Sequence, residues 1–324
     1  MNGKRSTGRL AIALTLAITF SLPLFARQKQ TAAECSLAIL TKKPQKAKAV
    51  CDLNTVRTLA DRGVAFEQNQ MGIASVLVID ESLSVSDAVQ WFQKAAANAY
   101  VPAEINLGVM YENGWGTDKN YAAALNWFHQ ASEQGSALAD YNLGSLYLNG
   151  QGVKQDYHEA FRYFQKSAQA GDPGAESNLG YLYDRGLGTQ PDIRMAIQWY
   201  TRAADDGWPM AQHNLGDLYM RGEGVPQNYS TAAAWFEKSA QAGYTGAEIK
   251  LAYLLSEGRG VPKDLEAAYS WLLAAAKAGD TRGADLQRSI ASQLNADQLR
   301  MATERADSVN SQQRSQISAS AFVP

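Results

Sequence analysis

Apolar and small residues return every fourth position in Ala103, Leu107 and Tyr111, with Glu104 and Asn106 set between them and Glu112 and Asn113 following. This spacing lays one stripe along a helix. The stripe begins again at Ala139, Ala175, Ala211 and Ala247, each time 36 residues on and without a gap. Beside it, in the predicted helix A, stand Gly108, Gly144, Gly180 and Gly216, with Ala252 in the fifth unit. The missing side chain lets a second helix approach closely, at a propensity cost of roughly 1 kcal/mol. The column Gly114, Gly150, Gly186, Gly222, Gly258 stands where the helical pattern stops, and glycine takes the positive φ of a helix terminus without steric penalty. A companion column runs two residues later, from Gly116 to Gly260.

Six residues past the stop come Asn120, Asp156, Asp192, Asn228 and Asp264. Their side-chain oxygens suit the free amides of a first helical turn, so a helix B is predicted to start there. It carries Ala124, Ala160, Ala196, Ala232 and Ala268, then Trp127, Tyr163, Trp199, Trp235 and Trp271, and closes at Gly135, Gly171, Gly207, Gly243 and Gly279. That aromatic column is expected to form the packed seam, each ring burying on the order of 150–250 Å². A period of this length marks units that bury their apolar faces only against their neighbours. The units are 103–138, 139–174, 175–210, 211–246 and 247–282, preceded by a degenerate one at 67–102. In that unit Gly72, Ala88 and Trp91 keep phase, Ser84 and Asp87 form a capping box, and Val78 replaces the glycine stop. Residues 283–309 are read as capping helices, the last opened by Asn295 and Gln298, and 310–324 as a disordered tail, the chain past Arg305 being rich in Ser, Gln and Asn.

The run Ala-x-x-x-Leu-Gly-x-x-Tyr-x-x-Gly-x-Gly, followed by Asp-Tyr-x-x-Ala-x-x-Trp-Phe-x-x-Ala-Ala-x-x-Gly, resembles the Sel-1-like repeat family, a relative of the tetratricopeptide repeat. The resemblance covers about residues 67–294. It implies an all-α superhelical solenoid of helix-turn-helix repeats and a role in assembling protein complexes. In bacterial relatives the partners include periplasmic domains of signalling kinases, cell-wall enzymes and secretion machinery.

A formal net charge of −2 with 19% charged residues gives no basic footprint, so a nucleic-acid partner is set aside. Lys4, Arg5 and Arg9 precede an uncharged run from Leu10 to Ala26 that is too short for an ordinary span of about 20 residues. Residues 1–26 are therefore read as a secretory signal, cleaved after Ala26 or Ala33, or kept as a short anchor. The expected location is the periplasm or the exterior, with no membrane insertion after cleavage. Behind the signal lies an N-terminal helical segment, 27–66, holding the only cysteines, Cys35 and Cys51. In an oxidising compartment they are expected to form one disulfide. Lipid attachment at Cys35 is disfavoured, because a lipobox wants an aliphatic residue three places before the cysteine and a small one immediately before it, where this chain has Ala32 and Glu34.

The chain offers little for catalysis. His129, His158 and His213 fall in different repeat columns, and most carboxylates fall in helix-cap or solvent columns. There is no nucleophile elbow, phosphate loop or His-Glu-x-x-His, so no metal site and no cofactor is expected. Some secreted, cysteine-rich relatives are described as β-lactamases or penicillin binders, but they carry a cysteine pair in each repeat and this array has none. A hydrolase acting on the cell wall or on β-lactams is thus the alternative, beside a secreted factor for host contact.

Comparison among the units points to a partner site. On helix B the columns through Ala122 and Gln130 are mostly polar, as on a solvated face. On helix A the residues Ile105 and Val109, Tyr141 and Ser145, Tyr181, His213 and Asp217, and Tyr253 mix apolar and aromatic character with polar. Stacked helix pairs expose one row of helices along a concave groove, and this row is read as that groove, holding a protein or peptide of the envelope. The alternative is that its apolar members pack between repeats. Asn106, Asn142, Asn178 and Asn214 form a ladder broken by Lys250, suited either to a bound peptide or to tying one repeat to the next.

Overall fold

The computed structural model describes residues 53–77 and 83–317, with side chains to residue 309. The predicted signal, Cys35, Cys51 and Val78 lie outside the described residues. Among the described residues there are fifteen helices and no strand. Helix α1 (Leu53–Asp61) leads into α2 (Ala65–Val76) and α3 (Val85–Ala96), the degenerate unit. Five regular pairs follow: α4 (Val101–Asn113) with α5 (Tyr121–Glu133), α6 (Ala137–Asn149) with α7 (Tyr157–Gln169), and α8 (Pro173–Arg185) with α9 (Ile193–Asp205). The last two are α10 (Pro209–Arg221) with α11 (Tyr229–Gln241) and α12 (Thr245–Glu257) with α13 (Leu265–Lys277). Helices α14 (Ala284–Ala291) and α15 (Ala296–Ile317) close the array. Successive helices pack on one another throughout, which makes an all-α solenoid.

The local signals act as their chemistry requires. Gly114, Gly150, Gly186, Gly222 and Gly258 end helix A in the left-handed region, at φ between 64° and 73°. The companion glycines press the turn onto the preceding helix B: a Cβ on Gly188 would lie 2.1 Å from the Tyr157 carbonyl oxygen. Asn120, Asp156, Asp192, Asn228 and Asp264 all accept backbone N–H bonds in the first turn of helix B. Ser84 and Asp87 form the reciprocal box that opens α3, and Asn295 and Gln298 do the same at α15. Helix A begins two residues ahead of its apolar stripe, with Pro102, Pro173 and Pro209 in first-turn positions that need no N–H donor.

Three expectations are corrected. The main seam is not the tryptophan column but the one after it. Phe128, Phe164, Tyr200 and Phe236 are buried against the helix-A glycines, and a Cβ on Gly108 would lie 2.3 Å from the Phe128 ring. The tryptophans lie one residue round the helix and are less enclosed, Lys94, Arg202 and Lys238 resting over Trp91, Trp199 and Trp235. Second, one acidic column is neither capping nor solvated. Glu104, Asp140, Glu176 and Glu248 are all buried, in the first turn of helix A. Asp140 accepts from Ser132 and Lys166, Glu104 from Gln134, and Glu176 pairs with Arg202 at 2.7 Å. Each of these three therefore engages a neighbouring helix B. Third, α15 runs on to Ile317 instead of fraying after residue 309. Ala302 and Ala306 are buried, α15 packs on α13 and Lys277 pairs with Asp307. That docking holds a helix which composition alone would not.

Candidate partner-binding face

Helix A has one side against its own helix B and another left open. The stripe alanines, Leu107, Leu143, Leu179 and their glycines face inward and are buried. The open side carries Tyr181 and Tyr253, each 38% exposed, together with Leu138 at 36% and Met210 at 40%. Sequence reasoning picked the two tyrosines and missed Leu138 and Met210. These occupy the variable column just before the stripe alanine, which comparison of the units could have flagged.

The expected site residues divide into two sets. Ile105 and Asn106 are buried, so neither lines an open face. Val109, Tyr141, Asn142, Ser145, Asn178, His213, Asn214 and Asp217 are partly covered. Tyr141 leans on Phe164 at a ring separation of 5.9 Å, and burial pushes its phenol pKa up. The Ser145 hydroxyl donates to the Tyr141 carbonyl within α6.

The asparagine ladder follows one register. A residue two past the stripe alanine meets the residue three past it in the next unit. Asn106 donates to Asn69 at 3.0 Å, and the Tyr141 hydroxyl is hydrogen-bonded by Asn178. At the intervening junctions the earlier residue is Ile105 or Ser177, and Asn142 and Asn214 retain solvent access instead. The ladder thus ties repeats at two rungs and presents amides at the two others.

Asn214 lies beside Tyr181 in a small cleft between α8 and α10, with Asp184, Arg185, Asp217 and Arg221 around it. Charges along the face are matched: Arg185 with Asp184 at 3.5 Å, Arg221 with Glu223 at 3.2 Å, Lys250 with Asp217 at 3.1 Å. His213 lies 3.6 Å from Asp217, between the rings of Phe236 and Tyr244. Burial lowers its pKa to about 4, against the pull of Asp217, so the imidazole is neutral near pH 7. His129 instead contacts Tyr163, and His158 is exposed, so the histidines do not converge. Among the described residues no group of three or more His, Cys, Asp or Glu could hold a metal ion, and no helix is long and apolar enough to cross a membrane.

An open, neutral face mixing aromatic side chains with free amides suits the capture of another polypeptide. The Sel1 repeat model matches residues 84–100, 101–136, 137–172, 173–208, 209–244 and 245–280. Among solved structures, the chain is similar to a Sel1 repeat protein from Oxalobacter formigenes, at 30% identity and a TM-score of 0.66. That match covers 76% of this chain and 96% of the other. It is also similar to c5321, a protective antigen of uropathogenic Escherichia coli with an SLR fold, at 27% identity and a TM-score of 0.64. There the match covers 93% of this chain and 66% of that longer one. No curated relative matches this chain. Proteins built on this repeat generally mediate protein–protein interaction and are typically non-catalytic. With six matched repeats over more than half of its length, the chain belongs to the Sel1 repeat family.

Proposed function

We propose that this protein is a non-catalytic scaffold of the bacterial cell envelope, regulatory in role, whose helix-A face holds an extended peptide or a helix of a partner protein. The observation that carries the reading is the exposed row Leu138, Tyr181, Met210 and Tyr253, running beside the accessible amides of Asn142 and Asn214. Aromatic side chains bring large contact area with few rotors to freeze, and unpaired amides can satisfy a bound backbone. Matched charges on the face favour an uncharged segment over a strongly acidic or basic one. The envelope assignment rests on the basic start and uncharged run of residues 1–26.

Affinity capture from crosslinked envelope fractions, read by mass spectrometry, tests both parts. A partner held by the wild type and lost from the Tyr181→Ala/Tyr253→Ala variant supports the face; a partner held equally by both sinks it. Recovery of the protein from the cytoplasm alone would remove the envelope assignment. The similarity to a protective antigen favours a second destination, the cell surface or the medium, and protein in culture supernatant would select it.

A further inference from the structure

The exposed row of the helix-A face alternates from unit to unit. In α6 and α10 the exposed side chain stands in the first turn, at Leu138 and Met210; in α8 and α12 it stands further along, at Tyr181 and Tyr253. Counted from the stripe alanine, these are the places one before and six after. Seven residues apart, they share one side of the helix and lie about 10 Å from each other along its axis. The complementary places hold nothing that projects. Ser145 in α6 and Asp217 in α10 are partly covered. Gly174 in α8 and Gly246 in α12 are buried under neighbouring rings. A Cβ on Gly174 would meet Tyr141 at 2.9 Å and Trp208 at 3.1 Å, and one on Gly246 would meet Tyr244 at 2.8 Å.

The amides keep the same two-unit period. Asn142 and Asn214, the ladder residues that tie no repeats, lie one helical turn beyond Leu138 and Met210, between the two lines of projecting side chains. Between them Asn178 is engaged by Tyr141, and after them Lys250 by Asp217. Packed helices stand about 8–10 Å apart, so a projecting apolar group is met about every 10 Å across the units, on alternate lines. Three residues of a β-extended chain cover about 10 Å, and residues three apart point to its opposite faces. A polyproline II chain returns residues three apart to the same side, and a helix presents its apolar residues as one stripe.

We infer that the partner segment seated on this face is a β-extended, uncharged peptide with apolar side chains at every third position, which pack in turn beside Leu138, Tyr181, Met210 and Tyr253. Asn142 and Asn214 hydrogen-bond its backbone at two points six residues apart. This deepens the reading of the helix-A face as the partner's seat and rests on it. The matched charges of the face set the neutrality of the peptide.

The test selects phage-displayed random dodecapeptides on the immobilised full chain, with the Tyr181→Ala/Tyr253→Ala variant as a parallel target, and measures the enriched sequences as synthetic peptides. Peptides enriched on wild type alone are expected to share apolar residues at three-residue spacing and, isotope-labelled, to show extended-chain chemical shifts when bound. Moving the second apolar residue of such a peptide by one place turns it to the wrong face and is expected to lower affinity at least about tenfold. Leu138→Ser or Met210→Ser, each at an exposed place that leaves the fold intact, is expected to cost about tenfold, and Asn142→Ala or Asn214→Ala about two- to tenfold. Peptides that depend on Tyr181 and Tyr253 but carry apolar residues at helical spacing, or bind with affinity indifferent to Leu138 and Met210, overturn the extended register and leave the face. Equal enrichment on wild type and variant, or none on either, rejects the face and the register with it.

Discussion

Asn106 donates a hydrogen bond to the side-chain oxygen of Asn69 at 3.0 Å, and both side chains are wholly buried. The bond crosses from one helix A to the next, one residue more than a repeat along the chain. A buried amide that loses its partner bears the full cost of desolvation, about 1–3 kcal/mol. Asn69→Ala is therefore expected to lower stability by that amount in denaturant unfolding. Asn142→Ala, at a rung without a tie, is expected to stay within about 0.5 kcal/mol of wild type. Equal costs at the two sites would show that Asn142 is also structural.

The glycine seam makes a sharper demand. A Cβ at Gly108 collides with the Phe128 ring, so Gly108→Ala is expected to cost about 1–3 kcal/mol despite alanine's better helix propensity. In the fifth unit Ala252 and Leu272 stand where the others have glycine and an aromatic residue. Combining Gly108→Ala with Phe128→Leu is accordingly expected to cost less than the sum of the single changes, a coupling that a double-mutant cycle measures directly. Strict additivity would contradict the paired-column account.

The repeat and its caps were legible in the sequence because backbone chemistry acts locally. Gly114 ends α4 and Asn120 opens α5 through atoms a few residues away. The seam was misjudged by one residue, since two adjacent aromatic columns share a helical pattern and only the glycine opposite decides which goes deepest. The buried acids were missed for a different reason. Glu104 and Glu176 stand in the first turn of helix A, where a carboxylate is ordinarily solvated, and only the packing of neighbouring helices removes them from water. Of the candidate face, Tyr181 and Tyr253 are exposed as their column suggests, while burial of Ile105 and Asn106 depends on contacts between units.

Burial pushes the Glu176 carboxyl above its ordinary pKa, and Arg202 pulls it back. The folded chain thus holds this proton more tightly than the unfolded one, and the group's contribution to stability falls as pH rises above the ordinary carboxylate range. Arg202→Gln removes the compensation. Its deficit against wild type is expected to be about 1–2 kcal/mol at pH 7, the arginine being half exposed, and to shrink towards pH 4. Thermal unfolding at both pH values checks this, and a deficit independent of pH would point to lost packing alone.

His213 carries the opposite sign. Its folded pKa of about 4 lies below the ordinary 6.5, so its contribution is full above pH 6.5 and is lost as pH falls towards 4. Asp217, Lys250, Arg282 and Tyr244 surround it, so the slope is best read as a difference between wild type and His213→Phe. The wild type is expected to lose stability relative to the variant across that interval. Parallel pH curves would show that the imidazole is solvated.

The most direct measurement places a photo-crosslinking amino acid at Tyr181 on the helix-A face, or at Arg194 on exposed helix B, in cells that make the protein. Adducts to a single partner from position 181, and none from 194, are the predicted result. Adducts from 194 with none from 181 would contradict the binding face.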